Sequence, residues 1–159
     1  MPAIMKSRPE TILLEAKSWL ERHKQKGAVC PCCGQYAKVY PRKLHSEMAA
    51  FLCRLVRAYQ QEPRWYHIRE IRPSKVAKAS TDGAYLKHWG LLESRDAKPD
   101  GTKGGSYKPT ELGVKFALGR ARVRSHVYLY DNEVCGWSDE TVDIDDALAS
   151  KFSRAELMA

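Results

Sequence analysis

The chain contains no stretch of about 18 consecutive apolar residues, the minimum for a membrane-spanning helix. Its opening residues, Met1-Pro-Ala-Ile-Met-Lys6, lack the long apolar region of a secretory signal. A cytoplasmic protein with no membrane partner is therefore expected. Also missing are a Gly-rich phosphate loop ending in Lys-Ser/Thr, a His-Glu-x-x-His pair and a Gly-x-Ser-x-Gly elbow, so the common sequence bases for nucleotide hydrolysis, zinc proteolysis and serine hydrolysis are absent and a non-enzymatic role is expected. There is no internal repeat and no low-complexity tract. The five cysteines are an odd number, three of them packed into Cys30-Pro-Cys-Cys33, which argues for reduced thiols or metal ligands over a disulfide framework.

Acidic residues are scarce over most of the chain. Residues 1–130 hold 25 Lys and Arg against 11 Asp and Glu, a balance of +14, whereas residues 131–159 hold 2 against 8, a balance of −6. The basic part suits a polyanionic partner. The acidic part would be repelled by DNA, so it is expected either to point away from it or to mask the basic face. With 159 residues, 43% hydrophobic and 29% charged, the chain can bury one modest core with a small satellite.

Apolar periodicity places the first elements. Residues 10–26 read as an amphipathic helix with a stripe of Leu13, Leu14, Ala16, Trp19 and Leu20, ended by Gly27. The cysteine cluster follows, then a strand over Tyr36 to Tyr40 interrupted by Pro41. Ser46 to Tyr59 carries Met48, Phe51, Leu52, Leu55 and Val56 at helical spacing. Trp65 to Ile71 reads as a short strand and Ser74 to Ala79 as a short helix.

The most informative segment comes next. Thr81 or Asp82 can cap a helix over 81–89, Leu86 and Trp89 face inward, and Gly90 supplies the left-handed position that ends it. Leu91 and Leu92 open a strand. Residues 94–106, with Gly101, Gly104 and Gly105 among Arg95, Lys98 and Lys103, form a basic hairpin loop. Ser106 to Lys108 is the returning strand. Thr110 caps a helix over Glu111 to Leu118 that carries Leu112, Val114, Phe116 and Leu118. Val123 to Tyr130 is a further strand, and Asp143, Asp145 and Asp146 charge the start of a helix from Asp145 to Phe152 rather than forming a nuclease centre.

The order of a helix ending in Trp89-Gly-Leu-Leu-Glu93, a basic hairpin, and Tyr107, Thr110 and Gly113 spaced as Y-x-x-T-x-x-G resembles the winged helix-turn-helix superfamily, and within it uncharacterised phage and bacterial proteins with an N-terminal Cys-x-x-Cys knuckle. The resemblance spans roughly residues 44–137. It implies an α+β fold: residues 1–45 a helix and cysteine knuckle, 46–130 the winged-helix domain, 131–159 an acidic hairpin and short helix. It further implies duplex DNA as partner and transcription regulation as setting. Helix 81–89 would enter the major groove while the wing meets phosphate or minor groove, so the expected contacts are Thr81, Tyr85, Lys87 and His88 on the helix and Arg95, Lys98 and Lys103 on the wing. Tyr85 could instead pack under the wing. His67 and Arg69 read as an exposed strand face and His126 as a structural histidine.

Cys30-Pro-Cys-Cys-Gly34 contains a Cys-x-x-Cys-Gly pattern resembling a zinc knuckle, in which the glycine permits the turn that aims two thiolates at one ion. That is half a structural site, because four ligands are normal and no second Cys-x-x-Cys exists. Cys32 and His23 are the remaining candidates beside Cys30 and Cys33. His45 and Cys53 lie about 12 Å apart along the expected helix axis and do not share an ion. The alternative is a metal-free turn; a thioredoxin-like role does not suit a motif placed in a turn after a helix.

Two alternatives to duplex DNA stand. One is a protein-interaction adaptor or inhibitor of a host complex on the same fold; the other is RNA binding, with aromatic residues stacking on unpaired bases. Symmetric homodimers are usual for DNA readers, and residues 10–26 are the only segment that offers itself for the purpose.

Overall fold

A computed structural model describes residue 3 and residues 12–71, 82–95 and 105–159. The chain is mixed α and β with antiparallel sheets, and it divides into two compact units, Met1–Arg42 with Val127–Gly136, and Lys43–His126 with Trp137–Ala159. The hairpin at 127–136 thus belongs with the N-terminal segment, and the acidic end belongs with the central one, rather than following breaks at 45 and 130. No helix among the described residues is long and apolar enough to cross a membrane.

In the first unit α1 spans Leu13–His23. Its apolar stripe is largely not buried: Ala16 is covered, but Leu13 and Leu14 are 59% and 70% exposed. Gly27, at φ +100°, leads the chain out of the turn that follows, and a Cβ there would lie 2.0 Å from the Tyr36 hydroxyl, so only glycine fits. The strands β1 (Ala28–Val29) and β2 (Tyr36–Ala37) form a hairpin with Ala28 opposite Ala37 and Val29 opposite Tyr36. Next, β3 (Tyr40–Lys43) lies at the edge of a sheet in which β8 (His126–Tyr130) is central and β9 (Glu133–Trp137) is the other edge. Pro41 therefore sits inside a strand instead of interrupting one, as an edge permits, since its missing N–H can face away from the ladder. Along β8 the alternation is clean, with Val127 and Leu129 buried. Asp131 and Asn132, both at positive φ, make the two-residue turn into β9.

The second unit is organised by α2, Ser46–Gln61, whose Met48, Phe51, Leu52, Leu55 and Val56 are buried as their spacing requires. The hydroxyl of Tyr66 reaches the carbonyls of Ala58 (2.8 Å) and Glu62 (2.7 Å), closing the end of that helix. Only Tyr66–His67 (β4) is extended; Ile68–Ile71 forms a helical turn, α3, where a strand was expected. The cause is local capping: the Glu70 carboxylate accepts the His67 N–H at 2.7 Å, and His67 Nδ1 accepts the Arg69 N–H at 3.2 Å. The expected helix 74–79 lies outside the described residues. After a 3₁₀ helix at Asp82–Trp89 come β5 (Leu92–Arg95) and β6 (Ser106–Pro109), and β6 pairs antiparallel with both β5 and β4.

Helix α4, Glu111–Ala117, is capped as expected: the Thr110 hydroxyl accepts the Gly113 N–H at 3.0 Å. It buries Gly113, Phe116 and Ala117, whereas Leu112 is 38% exposed. The expected strand 123–130 is broken at Ser125, because Val123–Arg124 (β7) pairs with Thr141–Val142 (β10) before the chain passes into β8. Ser125 is buried and satisfied, donating its N–H to Glu140 and accepting from Leu44, both at 2.9 Å. The last expected helix is two short ones. Asp143 and Asp146 cap α5 (Ile144–Leu148) reciprocally; Ala149 then takes φ +52°, and α6 (Arg154–Met158) follows.

Candidate nucleic-acid interface

The segment expected to read DNA is helical from Asp82 to Trp89, but its winding is 3₁₀ rather than α. With three residues per turn, positions three apart eclipse one another, and this sorts the side chains into three ridges. Gly83, Leu86 and Trp89 form the buried ridge. Gly83 is needed there, because a Cβ would lie 2.7 Å from the Phe51 ring, and the Trp89 indole N–H donates to the Arg124 carbonyl at 2.7 Å. Asp82, Tyr85 and His88 form a second ridge, on which Asp82 meets His45 Nε2 at 3.0 Å and the rings of Tyr85 and His88 stack at 6.2 Å. Lys87 belongs to the third ridge and is exposed. Gly90, at φ +70°, ends the helix as its sequence position indicated.

This separates two residues expected to work side by side. Lys87 offers its charge to solvent. His88 is half-buried, and its Nε2 is buried without a hydrogen-bond partner. Desolvation, and secondarily the neighbouring Lys87 charge, hold its pKa below the ordinary histidine value, which favours a neutral ring. Tyr85 is half-buried against that ring. Thr81 lies outside the described residues.

The hairpin is described as far as Arg95 on one side and from Gly105 on the other; Lys98 and Lys103 lie outside the described residues. Strand register puts Glu93 opposite Lys108 and Arg95 opposite Ser106, with His67 beyond Ser106 on β4. Trp65, just before β4, was not singled out from sequence, yet two cations converge on it: Arg95 at 5.0 Å and Lys108 at 5.2 Å from its ring. Lys108 also pairs with Glu93 at 3.4 Å. Lys108 joins this face through the register that sets it opposite Glu93, and neither it nor Trp65 is marked by a local pattern.

The acidic end is engaged within its own unit. Arg122 meets Asp143 and Asp146 at 3.6 Å each, Arg124 meets Asp139 at 3.9 Å, and Arg154 meets Asp145 at 3.4 Å. These are exposed pairs that neutralise charge more than they stabilise.

In the other unit, the knuckle is the six-residue connection of the β1–β2 hairpin. Cys30 donates its N–H to Gln35 at 2.7 Å, Gly34 donates to the Cys30 carbonyl at 2.9 Å, and Gly34 takes φ +76°. Cys30 and Cys33 line one cleft of about 330 Å³. Every histidine and cysteine of the chain is described, and among the described residues no group of three or more His, Cys, Asp or Glu is arranged to hold a metal ion. His23 is turned elsewhere, its Nδ1 donating to the Trp19 carbonyl at 2.7 Å and its ring stacked on Trp19 at 4.3 Å. Cys53 is buried in the second unit, where burial pushes its thiol up to about 12. Among the described residues, Cys30 and Cys33 are therefore not joined by the further ligands that a whole structural zinc site needs.

Comparison with known protein families, curated proteins and solved structures returned no match for this chain.

Proposed function

We propose that this chain is a non-enzymatic winged helix-turn-helix protein that binds duplex DNA in a phage or bacterial regulatory setting. What carries the reading is the order, among the described residues, of α2, β4, α3, the helix Asp82–Trp89, β5 and β6, with β4 and β5 flanking β6 in one antiparallel sheet. Gly90 and Leu91 pass the chain from the helix into the hairpin. A helix seated in the major groove therefore delivers the hairpin to the adjoining phosphate backbone.

In this mechanism Lys87 is the base-edge contact, as the exposed cation on its ridge. Arg95 and Lys108, gathered at Trp65, contact phosphate, together with Lys98 and Lys103 in the intervening connection. His88 serves the packing of the helix rather than the reading of bases. The arginines paired with the acidic end take no part.

Selection from a random duplex library at fixed salt tests the proposal. One enriched sequence is expected, and Lys87→Ala should flatten discrimination between it and random duplex by about 1–3 kcal/mol. Lys98→Ala with Lys103→Ala should weaken all duplexes alike. No enrichment would remove sequence-specific reading, and no binding at low salt would leave the adaptor reading.

A further inference from the structure

We propose that Cys30 and Cys33 of two copies of this chain together bind one zinc ion, so that four thiolates close a metal-bridged homodimer. The inference does not depend on DNA binding. It starts from a mismatch: the β1–β2 turn has the geometry of a knuckle, yet no further histidine, cysteine or carboxylate of the same chain is arranged with the two thiols, among the described residues, to complete a site. Zinc in a structural site takes four ligands in a tetrahedron, and a second knuckle supplies the missing two with the same spacing and geometry.

Two features favour this completion. The pair is accessible, since Cys33 is exposed and Cys30 half-exposed, while Tyr36 and Tyr40 beside the cleft are each 50% exposed. Cys30 is also held by the turn: its N–H donates to the Gln35 carbonyl, its own carbonyl accepts from Gly34, and it lines the same cleft as Cys33. Charge does not discriminate, because Lys38 and Asp131 both line the cleft and cancel in each copy, and Asp131 is the residue through which a single chain would otherwise gain a third ligand. The two-fold symmetry of such a bridge makes the interface isologous.

Full-length protein, purified with a thiol reductant and without chelator, should carry one zinc for every two chains by elemental analysis and sediment as a dimer. Removing zinc with a chelator should return the monomer with its far-ultraviolet circular dichroism retained, and adding zinc back should restore the dimer. Cys33→Ser should contain no zinc and remain monomeric, whereas Cys32→Ser should behave as wild type. If Cys33→Ser does not fold, the chelation and re-addition series on the wild-type chain decides alone. One zinc per monomer would overturn the proposal in favour of a single-chain site that includes Asp131. Zinc-free protein, loss of secondary structure on chelation, or a dimer that survives chelation would also overturn it.

Discussion

Gly113 on α4 packs its α-carbon against the carbonyl of Leu91, so closely that a Cβ would lie 1.9 Å from that oxygen. The same carbonyl accepts the Thr110 N–H at 3.2 Å, and the Thr110 hydroxyl donates to the Gly90 carbonyl. Tyr107, the remaining residue of the Y-x-x-T-x-x-G pattern, meets Phe51 of α2 edge-on at 5.8 Å. The pattern is thus a clamp that holds α4 and the core against the end of the candidate reading helix. Gly113→Ala forces backbone apart and should cost about 2 kcal/mol, within the usual range for overpacking. Urea unfolding measures it; an unchanged midpoint would show that the clamp does not bear on stability.

His88 should titrate below the ordinary histidine value of 6.5 in the folded protein, because its ring is desolvated and Lys87 is adjacent. As pH falls, the unfolded chain takes up the proton first. His88 therefore contributes its full stability above 6.5, and that contribution is lost as pH drops toward the folded value. Ring resonances followed by NMR across this range give the midpoint directly; a midpoint at 6.5 would place the ring in water, and one above it beside a carboxylate.

Thiol labelling should separate the cysteines by environment. In chelator-treated native protein Cys30, Cys32, Cys33 and Cys135 should react readily, being at least partly exposed, while Cys53, buried and pushed to about 12, should react only after unfolding. Five rapid thiols in the native state would mean that α2 opens far more readily than its packing implies.

Much of this organisation is legible locally. The stripe on α2, the Thr110 cap and the Gly90 terminator each follow from neighbours within a turn, and each lies where periodicity and capping rules put it. The 3₁₀ winding was not legible, because Leu86 and Trp89, three apart, satisfy an α-helix as well; only Gly83, packed on Phe51, completes the three-residue repeat. Winding widens the angle between Lys87 and His88, from about 100° at 3.6 residues per turn to about 120° at three. The break at Ser125, the partners of the acidic end and the gathering of cations on Trp65 depend on residues distant in sequence, for which a single chain gives no local signal. The exposed apolar side of α1 is the reverse case, a pattern present without the burial it usually reports.

The central claim is that this chain holds duplex DNA through its cations, and the direct measurement is the affinity of the full-length protein for labelled duplex as a function of salt. Log affinity should fall linearly with log salt concentration, by about 0.9 units for each phosphate neutralised. Arg95→Ala and Lys108→Ala should each reduce that slope by about one unit. Absence of binding at low ionic strength, or binding indifferent to salt and to both substitutions, would contradict the account.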